Sequence, residues 1–205
     1  MSTTKIHYIS GITITIFIVL HLFNHICSLF GEDLHISVME SLRIFYRNIF
    51  IETIVISAVF IQIISGLTLF KKKRKGVISG FEKIHIWSGL YLALFLIIHL
   101  SAILSGRFIL HLNTNFYFGT AGLNTFPFNI FFIPYYGLAI ISFFGHIAGV
   151  HYKKMKRKIL HLTPNQQSKI ILFCGLSFTL LIILGLTNYF HGVRIPAEYN
   201  VLIGK

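Results

Sequence analysis

The stretch HYISGITITIFIVLHL at residues 7–22 returns 78 residues later as HIWSGLYLALFLIIHL at residues 85–100. Aligned without gaps, the two share an opening histidine (His7, His85), a Ser-Gly pair (Ser10-Gly11, Ser88-Gly89), a phenylalanine (Phe17, Phe95) and a closing His-Leu (His21-Leu22, His99-Leu100). Neither stretch contains a charged residue, and both are too long and too continuously apolar to be a strand. Each therefore reads as part of a helix that crosses a bilayer and carries a histidine deep inside it. Such a helix needs roughly 20 apolar residues.

Working outward, uncharged segments of sufficient length occur at about 6–30, 53–70, 84–106, 130–152 and 170–193, with the second extended back to about 44. The expected fold is an all-α membrane protein, a five-helix bundle forming a single domain over residues 1–205. The extension at 44–70 puts Arg47 near the outer end of the second helix and Glu52 inside it. The run from His111 to Asn129 is rich in Asn, Thr, Gly and Pro and reads as a loop. Thr163-Pro164-Asn165-Gln166 is a helix start signal, with a Thr cap, a proline in the first turn and a Gln three residues after the cap.

Composition agrees. Of 205 residues, 55% are apolar and 12% charged, where a soluble domain carries about 25% charged residues, and the mean hydropathy is +0.76. The 18 Lys+Arg against 6 Asp+Glu give a formal charge of +12, which in such a chain reads as membrane topology and lipid headgroup contact rather than nucleic-acid binding. The basic residues concentrate at residues 71–75 and 153–158, and the positive-inside rule puts both connections on the cytoplasmic face. Alternation then places the N-terminus inside and the C-terminus outside, as for a multi-pass protein of a bacterial-type cytoplasmic membrane. The first apolar run is longer than the core of a cleavable signal and is expected to stay. Cys27 and Cys174 both lie in apolar runs without a C-x-x-C partner, which supports neither a disulfide framework nor a zinc site.

Ionisable groups within a span are costly and mark functional sites. His21 and His99 lie at matching depths on helices of the same direction, each ten residues after its glycine. Neutral imidazoles are iron ligands, and haem can be held between histidines of facing helices. His25, one turn beyond His21, is the rival on the first helix, but its repeat counterpart is Ile103, which favours His21. His146 is a third deep histidine, nearer the cytoplasmic side. His7 and His85 precede the deep pair by 14 residues each, about 21 Å of helix, and read as interfacial residues contacting a haem propionate or a quinone together with Ser10 and Ser88. Glu52 is a further candidate for quinol contact. His35, His111, His151, His161 and His191 fall in loops or at helix ends, where surface placement suffices.

Five helices, the doubled Ser-Gly-x9-His motif and the Thr-Pro-x-x-Gln turn before the last helix together resemble the cytochrome b subunit of succinate dehydrogenase and fumarate reductase, in its five-helix single-anchor form. The resemblance extends over nearly the whole chain, including the loop from Asn113 through Phe126-Pro127-Phe128. It implies haem b, with His21 and His99 as the axial pair of the distal haem and His146 as one ligand of the proximal haem. It also implies flavoprotein and iron-sulfur partner subunits on the cytoplasmic face and a membrane quinone as electron partner. The family's proximal His-x3-Gly pattern is met here by Gln62-Ile63-Ile64-Ser65-Gly66. An amide oxygen is a far weaker ligand for such a metal than imidazole. Either no second haem is present, with Gln62 hydrogen bonded to His146, or His146 is its sole strong protein ligand; the first is expected.

The implied function is that of a haem b membrane anchor in a succinate:quinone or quinol:fumarate oxidoreductase. No nucleophile and base set, phosphate loop or carboxylate dyad appears, so the chain reads as an electron-transfer and quinone-binding subunit rather than an enzyme by itself. A stand-alone b-type cytochrome and a haem-free membrane anchor are the alternatives.

Overall fold

Gln166 Oε1 accepts from the backbone N–H of Thr163 at 2.8 Å while Thr163 Oγ1 accepts from the N–H of Gln166. This reciprocal capping box starts the last membrane helix where the sequence signalled it. The computed structural model describes residues 1–76 and 80–205, and among them the regular elements are helices: α1 (Thr3–Cys27), α2 (Glu32–Tyr46), α3 (Ile49–Lys73), α4 (Gly80–Phe108), α5 (Phe116–Thr120), α6 (Phe128–Lys154) and α7 (Pro164–Leu186). A short 3-10 turn extends α1 to Phe30, and another closes the chain at Ala197–Ile203. Five helices, α1, α3, α4, α6 and α7, are long and apolar enough to cross a membrane. The middle of the connection at residues 71–83, residues 77–79, lies outside the described residues.

Two boundaries differ from the sequence reading. The second span does not reach back to residue 44. The segment breaks at Arg47-Asn48, where Asn48 Oδ1 caps the new helix by accepting from Phe50 N–H at 3.1 Å, and residues 32–46 form a separate helix, α2, that apolar periodicity alone had not distinguished. The last span ends at Leu186 rather than 193. Asn188, Tyr189 and Phe190 adopt positive φ of 48°, 54° and 64°, and the Tyr189 N–H turns back to Leu184 O at 2.7 Å, satisfying a terminal carbonyl that would otherwise be orphaned.

The five spanning helices close into a ring: α1 packs on α3, α3 on α4, α4 on α6, α6 on α7, and α7 on α1. Small residues let the backbones meet. A side chain at Gly149 of α6 would lie 2.9 Å from Phe81 O and 3.0 Å from His85 Cα, both on the α4 backbone. Apolar contacts fill the seams, with Ile14 of α1 against Ala58, Val59 and Ile63 of α3, and Leu22, Ile140, Phe143, Ile182 and Leu186 joining α1, α6 and α7. Outward faces carry exposed Ile16, Val19, Ile64, Ile98 and Phe173, as a lipid-facing surface does.

The ring has two unlike ends. The basic end carries the start of α1 and the close of α6, tied by Lys154 Nζ 3.5 Å above the Tyr8 ring. At the opposite, capped end, α2 and the segment around α5 fold over the mouth. Arg43 donates to Asn113 Oδ1 at 2.8 Å and Arg47 to Thr114 Oγ1 at 2.9 Å. The Tyr199 hydroxyl, within 3.0 Å of Asn113 O and 2.9 Å of Asn115 Oδ1, fastens the C-terminal turn to the same segment.

Candidate functional site

The ring encloses a cavity of about 310 Å³ that opens toward the capped end, its apolar walls drawn from α1, α3, α4, α6 and α7. His21 of α1 and His99 of α4 face one another across it, their ring centroids 6.3 Å apart. Each imidazole is braced by the phenylalanine one turn earlier, Phe17 at 5.6 Å and Phe95 at 5.0 Å, both stacked. The repeat in the sequence is thus a repeat in space, in which the shared phenylalanine fixes the plane of the shared histidine. Among the described residues no hydrogen bond reaches the His99 ring, so its nitrogens are committed to nothing but the cavity.

His25 also borders the cavity. Its Nε2 is 3.1 Å from His21 Nε2, and its Nδ1 is 3.3 Å from Nε2 of His35 on α2. His35 does not sit at the surface as its loop position suggested. It is 3% exposed, within reach of the Asn24 amide at 3.2 Å and against the Phe116 ring. Burial, and then the neighbouring His21 and Arg43, lower its pKa from 6.5 to about 4. Asn24 Oδ1 and His35 Nδ1, both bordering the cavity, are buried without a hydrogen-bond partner.

At the mouth stand Arg43, Arg47, Arg107 and Glu52. Glu52 is ion-paired with Arg107 of α4, both half-buried. Arg43 and Arg47 donate to the neutral side chains of Asn113 and Thr114, so among the cavity-lining residues three guanidiniums accompany one carboxylate. Arg47 belongs to the break before α3 rather than to a membrane helix, and it reaches the mouth because α2 folds back over the ring.

The Ser-Gly pairs lie toward the basic end, and their role is to seat polar side chains of facing helices. Ser10 and Gly11 on α1 hold Gln62: the Ser10 hydroxyl donates to Oε1 at 2.6 Å, and a Cβ at Gly11 would be 3.3 Å from Nε2. Ser65 and Gly66 on α3 hold His7, with Ser65 Oγ 2.9 Å from Nδ1. Gly89 on α4 faces His146, whose Nδ1–H donates to His85 O at 3.0 Å. Ser88 instead hydrogen bonds within its own helix, to His85 O. Gln62 bonds to His7 at 3.2 Å, not to His146 as expected. The reason is geometric: α3 neighbours α1 and α4 in the ring, whereas α6 lies beyond α4.

The cavity thus has an imidazole on each of two facing walls, an apolar lining between them and cationic side chains at its mouth, and His21 Nε2 is shared with His25 at 3.1 Å. Among the described residues no cluster of three or more His, Cys, Asp or Glu is arranged to hold a bare metal ion. Two opposed imidazoles are what a metal macrocycle needs, because it supplies its own equatorial nitrogens. No protein-family model, no curated protein and no solved structure matches the chain.

Sequence reasoning missed Arg43, Arg107, His35 and Asn24. An Arg at the end of the third span was a usable signal for Arg107. Nothing local marks the others, which reach the cavity only through the fold-back of α2 and, for Asn24, its place on the inward face of α1.

Proposed function

We propose that the chain is a haem b-containing membrane anchor of a succinate:quinone or quinol:fumarate oxidoreductase, relaying electrons between a cytoplasmic iron-sulfur subunit and membrane quinone. The observation that carries this reading is the His21–His99 pair. Two metal–imidazole bonds of about 2.0–2.1 Å, plus the short distance from each nitrogen to its ring centre, put the centroids of an axial pair roughly 6–6.5 Å apart; the observed separation is 6.3 Å. The residues at the mouth fit the same group, since haem b carries two carboxylates on one edge and arginines bind carboxylates in fixed, charge-assisted geometry.

In this reading His21 and His99 would hold the haem iron, with stacked Phe17 and Phe95 fixing their ring planes, and Arg43, Arg47 and Arg107 would bind its carboxylates. When bound, the haem supplies one-electron transfer, and the protein supplies orientation, electrostatics and exclusion of water. Glu52, ion-paired with Arg107 at the mouth, would exchange a proton with a quinol entering from the bilayer. The basic end faces the cytoplasm by the positive-inside rule, and its lysines and arginines offer an attractive field to acidic partner subunits.

The test is an absorption spectrum of the protein purified in mild detergent, together with the identity of what co-purifies. Soret and α bands of a low-spin haem, with two soluble subunits carrying flavin and iron-sulfur clusters, are expected. Bands without those subunits would mark a stand-alone cytochrome, and no bands a haem-free anchor; either sinks the reading of a haem-bearing oxidoreductase anchor.

A further inference from the structure

We infer that the basic end of the ring holds a second axial pair, His7 of α1 and His146 of α6, in place of any pair that uses Gln62. The inference rests on the haem reading above and extends it. The His7 and His146 ring centroids are 6.3 Å apart, the same separation as His21 and His99. A cavity of about 250 Å³ runs beside the two rings, bordered also by Gly11, Gln62 and Phe143.

Both rings are fixed through the same nitrogen. His146 donates Nδ1–H to His85 O at 3.0 Å, and a carbonyl can only accept, so a neutral His146 ring carries its lone pair on Nε2. His7 Nδ1 meets Ser65 Oγ at 2.9 Å, and the Ser65 hydroxyl is itself spent on Ile61 O at 2.6 Å. The proton of that contact therefore belongs to His7 Nδ1, and its Nε2 lone pair takes the Gln62 amide at 3.2 Å. Anchoring Nδ1–H on an oxygen while Nε2 is presented is the arrangement that orients metal-ligating histidines.

The glycines reinforce the geometry. A Cβ at Gly66 would lie 3.3 Å from His7 Cε1, and one at Gly89 would lie 3.0 Å from His146 Cε1. Each ring thus occupies a notch cut for it. Gln62 is not required as a ligand in this arrangement: its Oε1 takes the Ser10 hydroxyl at 2.6 Å, and its amide lies 3.2 Å from His7 Nε2. Tyr8 borders the same cavity and holds Lys154 Nζ 3.5 Å over its ring. His7 precedes His21 by 14 residues, about 21 Å along α1, so the two histidine pairs lie at different levels of the ring, their cavities meeting at Ile14, Ile18 and Phe143.

The experiment is haem stoichiometry by pyridine haemochrome with low-temperature electron paramagnetic resonance, on the full chain in detergent. Two low-spin haems per chain are expected. His7→Ala and His146→Ala should each remove one while keeping the signal that depends on His21 and His99, which also reports that the bundle has folded. Free imidazole should restore the lost signal in His7→Gly, and Gln62→Ala should retain both haems. One haem that survives His7→Ala and disappears in His21→Ala would overturn this inference alone. So would loss of the second haem in Gln62→Ala with retention in His7→Ala. No haem in any variant would overturn the haem reading itself.

Discussion

His25 Nε2 lies 3.1 Å from His21 Nε2, one helical turn along α1, yet only His21 stands opposite His99, with 6.3 Å between ring centroids. Proximity on the helix and opposition across the ring are separate properties, and axial ligation needs the second. If the proposed haem is held there, His21→Ala and His99→Ala are each expected to abolish a low-spin signal at the capped end, with loss of one haem per chain. His25→Ala should leave that signal in place. The reverse pattern, measured on the same preparations, would assign the ligand to His25.

Glu52 and Arg107 form an ion pair that is neither exposed nor fully sealed, each side chain 22% exposed. Removing one partner of an exposed pair costs under about 1 kcal/mol, and of a buried pair about 3–5 kcal/mol. Glu52→Gln should therefore lower stability by about 1–3 kcal/mol, read from the thermal midpoint in detergent, without loss of haem. Adding Arg107→Gln should recover part of the loss, because the stranded guanidinium goes with it. Fully additive losses would show that the pair is not coupled. If Glu52 also exchanges protons with quinol, turnover falls in Glu52→Gln and in the conservative Glu52→Asp is partly kept.

His35 predicts the sign of the pH dependence. Burial, then the charges of His21 and Arg43, hold its folded pKa at about 4 against 6.5 when unfolded. Between those values the unfolded chain binds the extra proton, so stability is full above pH 6.5 and falls as the medium is acidified toward pH 4. In His35→Gln the decline of the thermal midpoint over this window should be shallower than in the wild type. Equal slopes would remove His35 from the acid response.

Gly149 sets the approach of α4 and α6, with Phe81 O and His85 Cα at 2.9 and 3.0 Å from where a Cβ would stand. Those neighbours are backbone and cannot rotate aside. Gly149→Ala is expected to destabilise by about 1–3 kcal/mol, the usual cost of overpacking. It should also disturb His146, whose hydrogen-bond acceptor is His85 O. A variant with unchanged midpoint and unchanged haem spectrum would show that the seam has slack.

The sequence by itself determined the number of membrane helices, because a bilayer demands long apolar segments and punishes charge within them. It determined the matching depth of His21 and His99, since a gapless repeat puts them at the same level of helices that run in one direction; that their rings face one another came from the fold. The capping box at Thr163 was equally legible, being a local hydrogen-bond exchange. What followed from neighbour relations was not. That α2 is a separate helix folded over the mouth depends on Asn48 ending one apolar run and capping the next, a break that hydropathy averages away. Whether Gln62 meets His7 or His146, and whether His7 stands at the interface or faces another imidazole, was decided by the order of helices around the ring. That order arises from which small residues let which backbones meet, and spacing along one chain holds no record of it.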